Sequence, residues 1–253
     1  MTRPVLITIP ISHFCEKARW TLAWGGIAYE ERARLQMLHW LTTIPRGAGR
    51  MVPVLLVGRE VVGDSCAIMR WVDAQLPPER RLLASPGASE LEAELGETLG
   101  PDGRGWMYHR LLPDRSIARR FGPTGVPRWQ QAVMPALLPL MEGGLRRYYG
   151  LTDARAAAAL DRVRRRFDGI AERLADGRPH LLGDAFSAAD LSFASLAAAV
   201  LMPPTYSVPL PQPEDIDPDT AAVVRELRAH PAGQFALRLY GERPAIRGPA
   251  APA

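Results

Sequence analysis

The feature that most constrains the fold is a change of pattern about a third of the way along the chain. Up to residue 76, short apolar runs rich in Val, Ile and Leu alternate with helix-like segments. Residues 76–89 are rich in proline and arginine, and beyond them we find no strand periodicity. Because such a break in composition marks a domain boundary, the sequence predicts two domains of different architecture.

The first part predicts a mixed sheet. A helix between the first two strands favours a parallel pair, whereas a tight turn at Gly58-Arg59 favours an antiparallel hairpin. The predicted strands cover residues 4–11, 27–36, 52–58 and 59–65, and the predicted helices cover residues 15–24 and 65–76. We therefore expect a four-stranded mixed sheet covered by helices.

The second part is expected to be all helical. Gly- and Pro-rich segments at 100–105 and 122–127 predict loops, and the proline-dense stretch 203–219 predicts a long one. The predicted helices cover residues 89–99, 130–149, 153–175, 188–202 and 220–240. The expected organisation is a first domain at 1–78, a linker at 79–88, a helical domain at 89–245 and a disordered tail at 246–253.

Composition excludes several classes of function. The net charge of +4 is modest, and the basic run at 162–173 fits one face of an amphipathic helix better than a nucleic-acid site. The apolar run Leu191–Met202 is too short to span a bilayer, so we expect no membrane partner. Two cysteines make no disulfide framework, which favours a cytoplasmic protein, and the scattered histidines predict no metal site.

Four stretches carry a resemblance to a known family. They are "SHFCEKARWTL", "RMVPVLLVG", "VVGDSCAIMRWV" and "HLLGDAFSAADLSFASL". In this order and at this spacing, they resemble the glutathione transferases. The resemblance implies an α/β thioredoxin-like N-terminal domain that binds a thiol, followed by an all-α C-terminal domain. It also implies glutathione as co-substrate, or another low-molecular-weight thiol, together with a small electrophilic substrate and a homodimer.

Ser12 and Cys15, three residues apart where the first helix begins, leave three interpretations open. On the residues alone, Ser12 is most simply a helix cap, and Cys15 a small buried residue. A hydroxyl at a helix N-terminus can also donate to a bound thiolate, and theta- and zeta-class glutathione transferases have a serine at the matching position. The resemblance therefore makes Ser12 the catalytic candidate. The alternative is a glutaredoxin-like thiol reductase that uses Cys15.

The resemblance also implies a set of thiol-binding residues. The Val52-Pro53 bond would be cis, with the Val52 backbone pairing with the cysteinyl part of glutathione. Asp64 would meet the γ-glutamyl ammonium group and Ser65 the γ-glutamyl carboxylate, whereas on the residues alone Ser65 could be a helix cap. Three further residues would lie toward the glycyl carboxylate, with charge favouring the first of them: Arg50, His39 and Met51.

The second substrate would bind between the domains, where pockets are usually apolar with a few placed polar groups. The candidates for that pocket are His13, Phe14, Trp106, Tyr108 and His109. Ser187 and Asp190 form a capping box at the start of a buried helix, which predicts a role in stability. We expect a transferase that adds the thiol to an electrophile or isomerises it. A non-catalytic binding protein of the same fold is a further alternative.

Overall fold

The computed structural model describes residues 3–245, and the predicted disordered tail at 246–253 lies outside them. The first part of the chain contains β1 Val5–Thr8, α1 His13–Trp24, β2 Glu30–Ala33, α2 Trp40–Thr43, β3 Val54–Val57, β4 Glu60–Gly63 and α3 Ser65–Asp73. The second part contains α4 Ala88–Glu97, α5 Leu99–Leu111, α6 Arg115–Phe121, α7 Arg128–Tyr149, α8 Asp153–Leu174, α9 Ala188–Leu201, α10 Pro218–Ala229 and α11 Pro231–Glu242.

The four strands form one mixed sheet in the order β2-β1-β3-β4, as predicted. β1 is parallel to β2 and antiparallel to β3, and β3 is antiparallel to β4. The helix α1 connects the parallel pair, and the turn that contains Gly58, at φ 62°, closes the hairpin. Leu6 and Leu55 of the sheet pack against Ile68 of α3 in a buried core. The predicted α/β thioredoxin-like domain followed by an all-helical domain is therefore confirmed.

Helix α9 is the centre of the second domain. Its sequence, AADLSFASLAAAVL, is apolar on all faces, and every residue of the helix is buried. The Ser187–Asp190 capping box forms as predicted. Asp190, fully buried, accepts the Ser187 N–H at 2.8 Å, the Ser187 O–H at 2.6 Å and the Leu181 N–H at 2.8 Å. These bonds satisfy donors at the start of the helix and tie it to the preceding loop.

Two predictions about the helices are wrong. The segment 100–105, predicted as a loop, is the first half of α5, where Gly100 contacts Phe14 and Gly103 contacts Ala199 so closely that side chains would collide. Tertiary packing therefore outweighs the low helix propensity of glycine, and Pro101 is tolerated because it lies in the first turn. The predicted helix 220–240 is two helices, because Pro231 begins a new one at α11.

Charged side chains on α1 join the two domains. Glu16, Lys17 and Arg19 are buried, although such residues usually mark the solvent face of a helix. Arg19 pairs with Glu16 and with Glu31 of β2, and Lys17 pairs with Glu92 of α4. Because unpaired charges in this position would be costly, these contacts fix α1 between the sheet and the helical domain.

Candidate active site

Ser12 is the N-cap of α1. Its Oγ accepts the Cys15 N–H at 3.4 Å, and its backbone N–H donates to the Ile9 carbonyl at 3.1 Å. A hydroxyl that accepts a hydrogen bond still has its own O–H to donate. Ser12 is half-buried, so this O–H can reach a ligand at the helix N-terminus, where the backbone N–H groups favour negative charge.

Cys15 lies one turn into the helix, behind Ser12, and is closed off from solvent. Its side chain is fully buried, and burial raises the pKa of the thiol to about 11, although Arg19 and Ser12 both oppose the rise. A thiol in these surroundings is protonated at neutral pH and cannot be reached by a disulfide. The geometry therefore fits the packing interpretation of Cys15.

The segment before β3 offers an edge of free backbone. The Val52-Pro53 bond is cis. The register of β1 and β3 pairs Ile7 with Val54, and two residues further it places Val52 opposite Ile9, just before Ser12. Within residues 3–245 the N–H and C=O groups of Val52 make no backbone hydrogen bond. An extended peptide beside Ser12 could therefore pair with Val52 as an added strand.

The turn from β4 into α3 places two polar side chains at a helix N-terminus. Asp64, not Ser65, is the N-cap, because Asp64 Oδ1 accepts the Ala67 N–H at 2.8 Å. Asp64 has φ 50°, a conformation that a non-glycine residue adopts rarely and that is often found at functional sites. Ser65 is the first residue of the helix and is buried. Together they present a carboxylate and a hydroxyl beside the positive end of α3.

The candidate residues in the loop before Val52 differ in burial and in their contacts. His39 is buried, and its Nε2 lies 2.9 Å from the Arg50 carbonyl oxygen. Burial lowers the pKa of His39, so the imidazole is neutral at pH 7. Arg50 is exposed, with its guanidinium 5.1 Å from the centroid of the Trp40 ring, and Met51 is exposed beside it. Arg50 is therefore the free positive charge of this loop, and His39 holds the loop backbone.

An apolar cavity lies between the two domains, and the chain neighbours of Ser12 are part of its lining. The space in it that is open to the centre of a water-sized sphere is about 120 Å³, and Ile11 and His13 form its wall on the side of α1. The helical domain supplies most of its lining, including Met107, Leu111, Ile117, Phe121, Met134 and Leu138. At its edge Arg115 Nε lies 3.2 Å from Glu142 Oε2, so the two charges at this point neutralise each other. The cavity suits an uncharged, apolar molecule.

Two of the five residues predicted for this pocket line it, His13 and Tyr108. His13 is buried with Nε2 3.1 Å from the Gly100 carbonyl oxygen, and burial, aided by Arg104, lowers its pKa to about 3. It is therefore a neutral hydrogen-bond donor. Burial also raises the pKa of Tyr108, which is protonated.

The other three predicted pocket residues lie elsewhere. Phe14 packs on Gly100 of α5, and Trp106 is buried in the core of the helical domain. His109 Nε2 lies 2.9 Å from Asp153 Oδ1 of α8. Residues 107, 108, 111 and 112 share the face of α5 toward the cavity, and positions 106 and 109 turn away from it. The sequence cluster therefore named residues on two different faces of α5.

Sequence reasoning missed the contribution of α6 and α7 to the site. Their inner faces line the cavity, so the two helices form a cover over it. Gln130 of α7 accepts the Leu35 N–H at 2.8 Å, which connects this cover to the end of β2. A small buried cluster of Ala33, Leu35, Met134 and Leu138 strengthens the same contact. The signal that could have found it is the spacing of Met134, Leu138, Met141 and Leu145, which places four apolar residues on one face of a helix.

Within residues 3–245 no three side chains of His, Cys, Asp or Glu lie together in a way that could hold a metal ion. In the same part of the chain, none of the helices is long and apolar enough to cross a membrane.

Comparisons with known proteins identify this architecture. Residues 6–80 match the model of the glutathione S-transferase N-terminal domain. A glutathione S-transferase of Ceriporiopsis subvermispora, solved in complex with glutathione, has 18% identity and a TM-score of 0.61, with 95% of this chain and 97% of that chain covered. A glutathione transferase of Phanerochaete chrysosporium has 18% identity and a TM-score of 0.63, with 96% of this chain and 98% of that chain covered.

A third similar structure is bacterial. It is a glutathione S-transferase of Methylobacterium radiotolerans in complex with glutathione sulfonate, with 18% identity, a TM-score of 0.56, and 93% of this chain and 95% of that chain covered. No curated protein matches the chain. Over nearly its whole length the chain therefore has the fold of the glutathione S-transferases, and its residues 6–80 match the N-terminal domain of that family.

Proposed function

We propose that the protein is an enzyme of glutathione transferase type, which activates the thiol of glutathione through Ser12 and transfers it to an apolar electrophile or uses it to isomerise one. The observation that carries this proposal is the position of Ser12 at the start of α1, between Ile11 and His13, which line an apolar cavity between the domains. Glutathione in the Ceriporiopsis subvermispora structure and glutathione sulfonate in the Methylobacterium radiotolerans structure support the choice of thiol. The protein could instead bind a different low-molecular-weight thiol, and a binding titration that compares it with glutathione distinguishes the two.

Ser12 would act by stabilising the thiolate. A hydrogen bond to a charged group contributes about 1.5–3 kcal/mol, which lowers a thiol pKa by about one to two units. The positive end of α1 acts in the same direction. A peptide thiol held near Ser12 would then be largely ionised at neutral pH, and its closeness to an electrophile in the cavity would add to the rate.

The rest of glutathione would occupy the polar groups around Ser12. Its cysteinyl backbone would form hydrogen bonds with the N–H and C=O groups of Val52 and lie alongside Pro53. Its γ-glutamyl carboxylate would sit at the N-terminus of α3 beside Ser65, and its ammonium group would meet Asp64. Its glycyl carboxylate would pair with Arg50, since His39 is neutral and bonded to the loop backbone. Met51 would cover this end.

The electrophile would be apolar and uncharged. Met107, Phe121 and Leu138 surround the cavity with apolar side chains, and the Arg115–Glu142 pair leaves no net charge at its edge. Tyr108 offers a neutral hydroxyl that could donate to a carbonyl or an aromatic nitro group, whereas the one N–H of neutral His13 is used on the Gly100 carbonyl. Following the resemblance, we also propose a cytoplasmic homodimer, which light scattering after size-exclusion chromatography tests.

The test compares Ser12→Ala with Ser89→Ala, a matched control at an exposed serine of α4. Ultraviolet titration of the bound thiolate gives the thiol pKa, and an electrophile panel that includes 1-chloro-2,4-dinitrobenzene gives kcat/KM. We expect Ser12→Ala to raise the thiol pKa by about one to two units and to lower kcat/KM by about 10- to 100-fold, with Ser89→Ala unchanged. If Ser12→Ala changes neither quantity, Ser12 does not activate the thiol.

Two alternatives have separate outcomes in the same set of experiments. A reductase that uses Cys15 would lose reduction of mixed disulfides in Cys15→Ser, whereas a transferase would keep its conjugation activity. A non-catalytic protein would be retained on immobilised glutathione and yield no product from any electrophile. The burial of Cys15 and its raised pKa favour the transferase.

A further inference from the structure

Helix α7 carries a stripe of apolar side chains that are exposed to solvent. Trp129, Val133 and Leu140 are exposed by 55%, 39% and 65%, and their spacing of four and seven residues places them on one face of the helix. Ala136 lies on the same face and is exposed too. From Trp129 to Met141 the helix has no charged residue. Such a continuous apolar face on a monomer marks a surface that binds something.

The two helices that carry this stripe and its surroundings have a net positive charge. Residues 115–149 contain six arginines and a single acidic residue, Glu142, a net charge of +5. Since the whole chain has a net charge of +4, the remaining residues together carry −1. All of the positive excess of the protein is therefore concentrated in the two helices α6 and α7.

Several of these arginines are free to bind a ligand. Among residues 3–245, the exposed guanidinium groups of Arg119, Arg128 and Arg147 take part in no ion pair or hydrogen bond. Arg115 and Arg146 are paired with Glu142, and Arg120 with Asp215. Arg128 and Arg147 lie at the two ends of α7, and Arg147 falls on the same helical face as Trp129.

We propose that α6 and α7, residues 115–149, form a peripheral docking surface for an anionic lipid bilayer. Trp129, Val133 and Leu140 enter the boundary between headgroups and acyl chains, and the free arginines contact the anionic headgroups. This arrangement of an apolar face with tryptophan, flanked by arginine, is that of helices that lie in the plane of a membrane surface. The charge decides for a lipid surface over a second copy of the chain, since two such basic faces would repel each other.

The docking surface and the apolar cavity lie on opposite sides of the same helix. The inner face of α7, with Met134, Leu138 and Met141, lines the apolar cavity, and the outer face carries the stripe. Only the thickness of one helix separates a docked bilayer from the cavity. The sequence-based expectation of no membrane partner considered only spanning segments, whereas a surface helix of this kind does not cross the bilayer.

The test is flotation of the full-length protein with vesicles of phosphatidylcholine alone or with 30% phosphatidylserine, in 50 mM and 500 mM NaCl. Three variants are compared with the wild type. One removes apolar contacts, Trp129→Ser with Leu140→Ser, and one removes free charges, Arg119→Gln, Arg128→Gln and Arg147→Gln. The matched control changes three exposed arginines elsewhere, Arg59→Gln, Arg165→Gln and Arg173→Gln.

We expect the wild type to bind only the anionic vesicles, and more weakly in high salt. The charge variant should bind about 100-fold more weakly, the apolar variant at least 10-fold more weakly, and the control at most a few-fold more weakly. Absence of binding in 50 mM NaCl would overturn the proposal, as would equal losses in the charge variant and the control. A wild-type oligomer that the apolar variant dissociates would also overturn it, because the stripe would then be a protein interface. Circular dichroism verifies that each variant is folded.

Discussion

The side-chain oxygen of Gln130 accepts the backbone N–H of Leu35 at 2.8 Å, 95 residues away in the chain. Gln130 is 1% exposed and Leu35 is 3% exposed, so this bond joins α7 to the N-terminal domain without help from solvent. It is the polar contact at the centre of a small apolar cluster, and the cavity lies directly beside that cluster. The position of the cover formed by α6 and α7 thus depends on one amide side chain.

We predict that Gln130→Ala loosens this cover and leaves the fold intact. The variant leaves the Leu35 N–H without an acceptor in a buried place, at a cost of about 1–3 kcal/mol. Hydrogen exchange should become faster in residues 33–40 and in α7, with exchange in α9 unchanged. Gln234→Ala, at an exposed glutamine of α11, is the control. Unchanged exchange at residues 33–40 in Gln130→Ala would show that the apolar cluster alone holds the cover.

The burial of His13 predicts a dependence of stability on pH. Its pKa is lowered from 6.5 to about 3, so between these values the unfolded chain binds a proton that the folded protein does not. Stability from this residue is complete above pH 6.5 and is lost as pH falls, by about 1.4 kcal/mol for each pH unit.

Urea unfolding at pH 6.5 and pH 5.5 tests this prediction. The wild type should lose about 1 kcal/mol more than His13→Gln over this interval, because the carboxylates titrate alike in both proteins. Equal losses in the two proteins would mean that His13 does not keep its neutral form in the folded state.

The buried state of the thiols predicts slow alkylation. Burial raises the pKa of Cys15 to about 11, and it raises the pKa of Cys66 to about 11 although Lys17 lies nearby. At pH 8 a thiol with this pKa forms about two hundred times less thiolate than a free cysteine.

Mass spectrometry after iodoacetamide treatment measures this difference. Cys66→Ser isolates Cys15, and Cys15→Ala isolates Cys66. We expect Cys15 to react only in denaturant and Cys66 to react at least a hundred-fold more slowly than glutathione. Rapid labelling of Cys15 in the folded protein would revive the reductase interpretation.

The limits of sequence reasoning appear at particular residues. The sheet, the capping box at Ser187 and the cis bond before Pro53 were predictable, because each depends on a short local pattern or on a resemblance that preserves spacing. The helix through Gly100 and Gly103 was not, since those glycines are helical only because Phe14 and Ala199 pack against them. A contact made across domains leaves no local signal.

The same reason explains what was missed at the site. Positions 107 and 108 line the cavity and 106 does not, a distinction that depends on where α5 begins, which the glycines concealed. Buried Glu16 and Arg19 resembled a solvent face because the partners that other elements supply, Arg243 for Glu16 and Glu31 for Arg19, are distant in the chain. Charged residues in a helix thus predict exposure only when no partner reaches them from another element.

Asp190 is predicted to serve stability and not chemistry. Its carboxylate accepts three hydrogen bonds, from two donors of Ser187 and one of Leu181, and it lies in the first turn of α9 with no solvent contact. Asp190→Ala leaves those donors buried and unpaired, which should lower the free energy of unfolding by roughly 3–5 kcal/mol. Asp184→Ala, at an exposed aspartate in the same loop, should change it by less than about 0.5 kcal/mol. At a temperature where Asp190→Ala remains folded, its conjugation rate per folded molecule should equal that of the wild type. A variant that is as stable as the wild type but inactive would place Asp190 in the reaction and contradict this assignment.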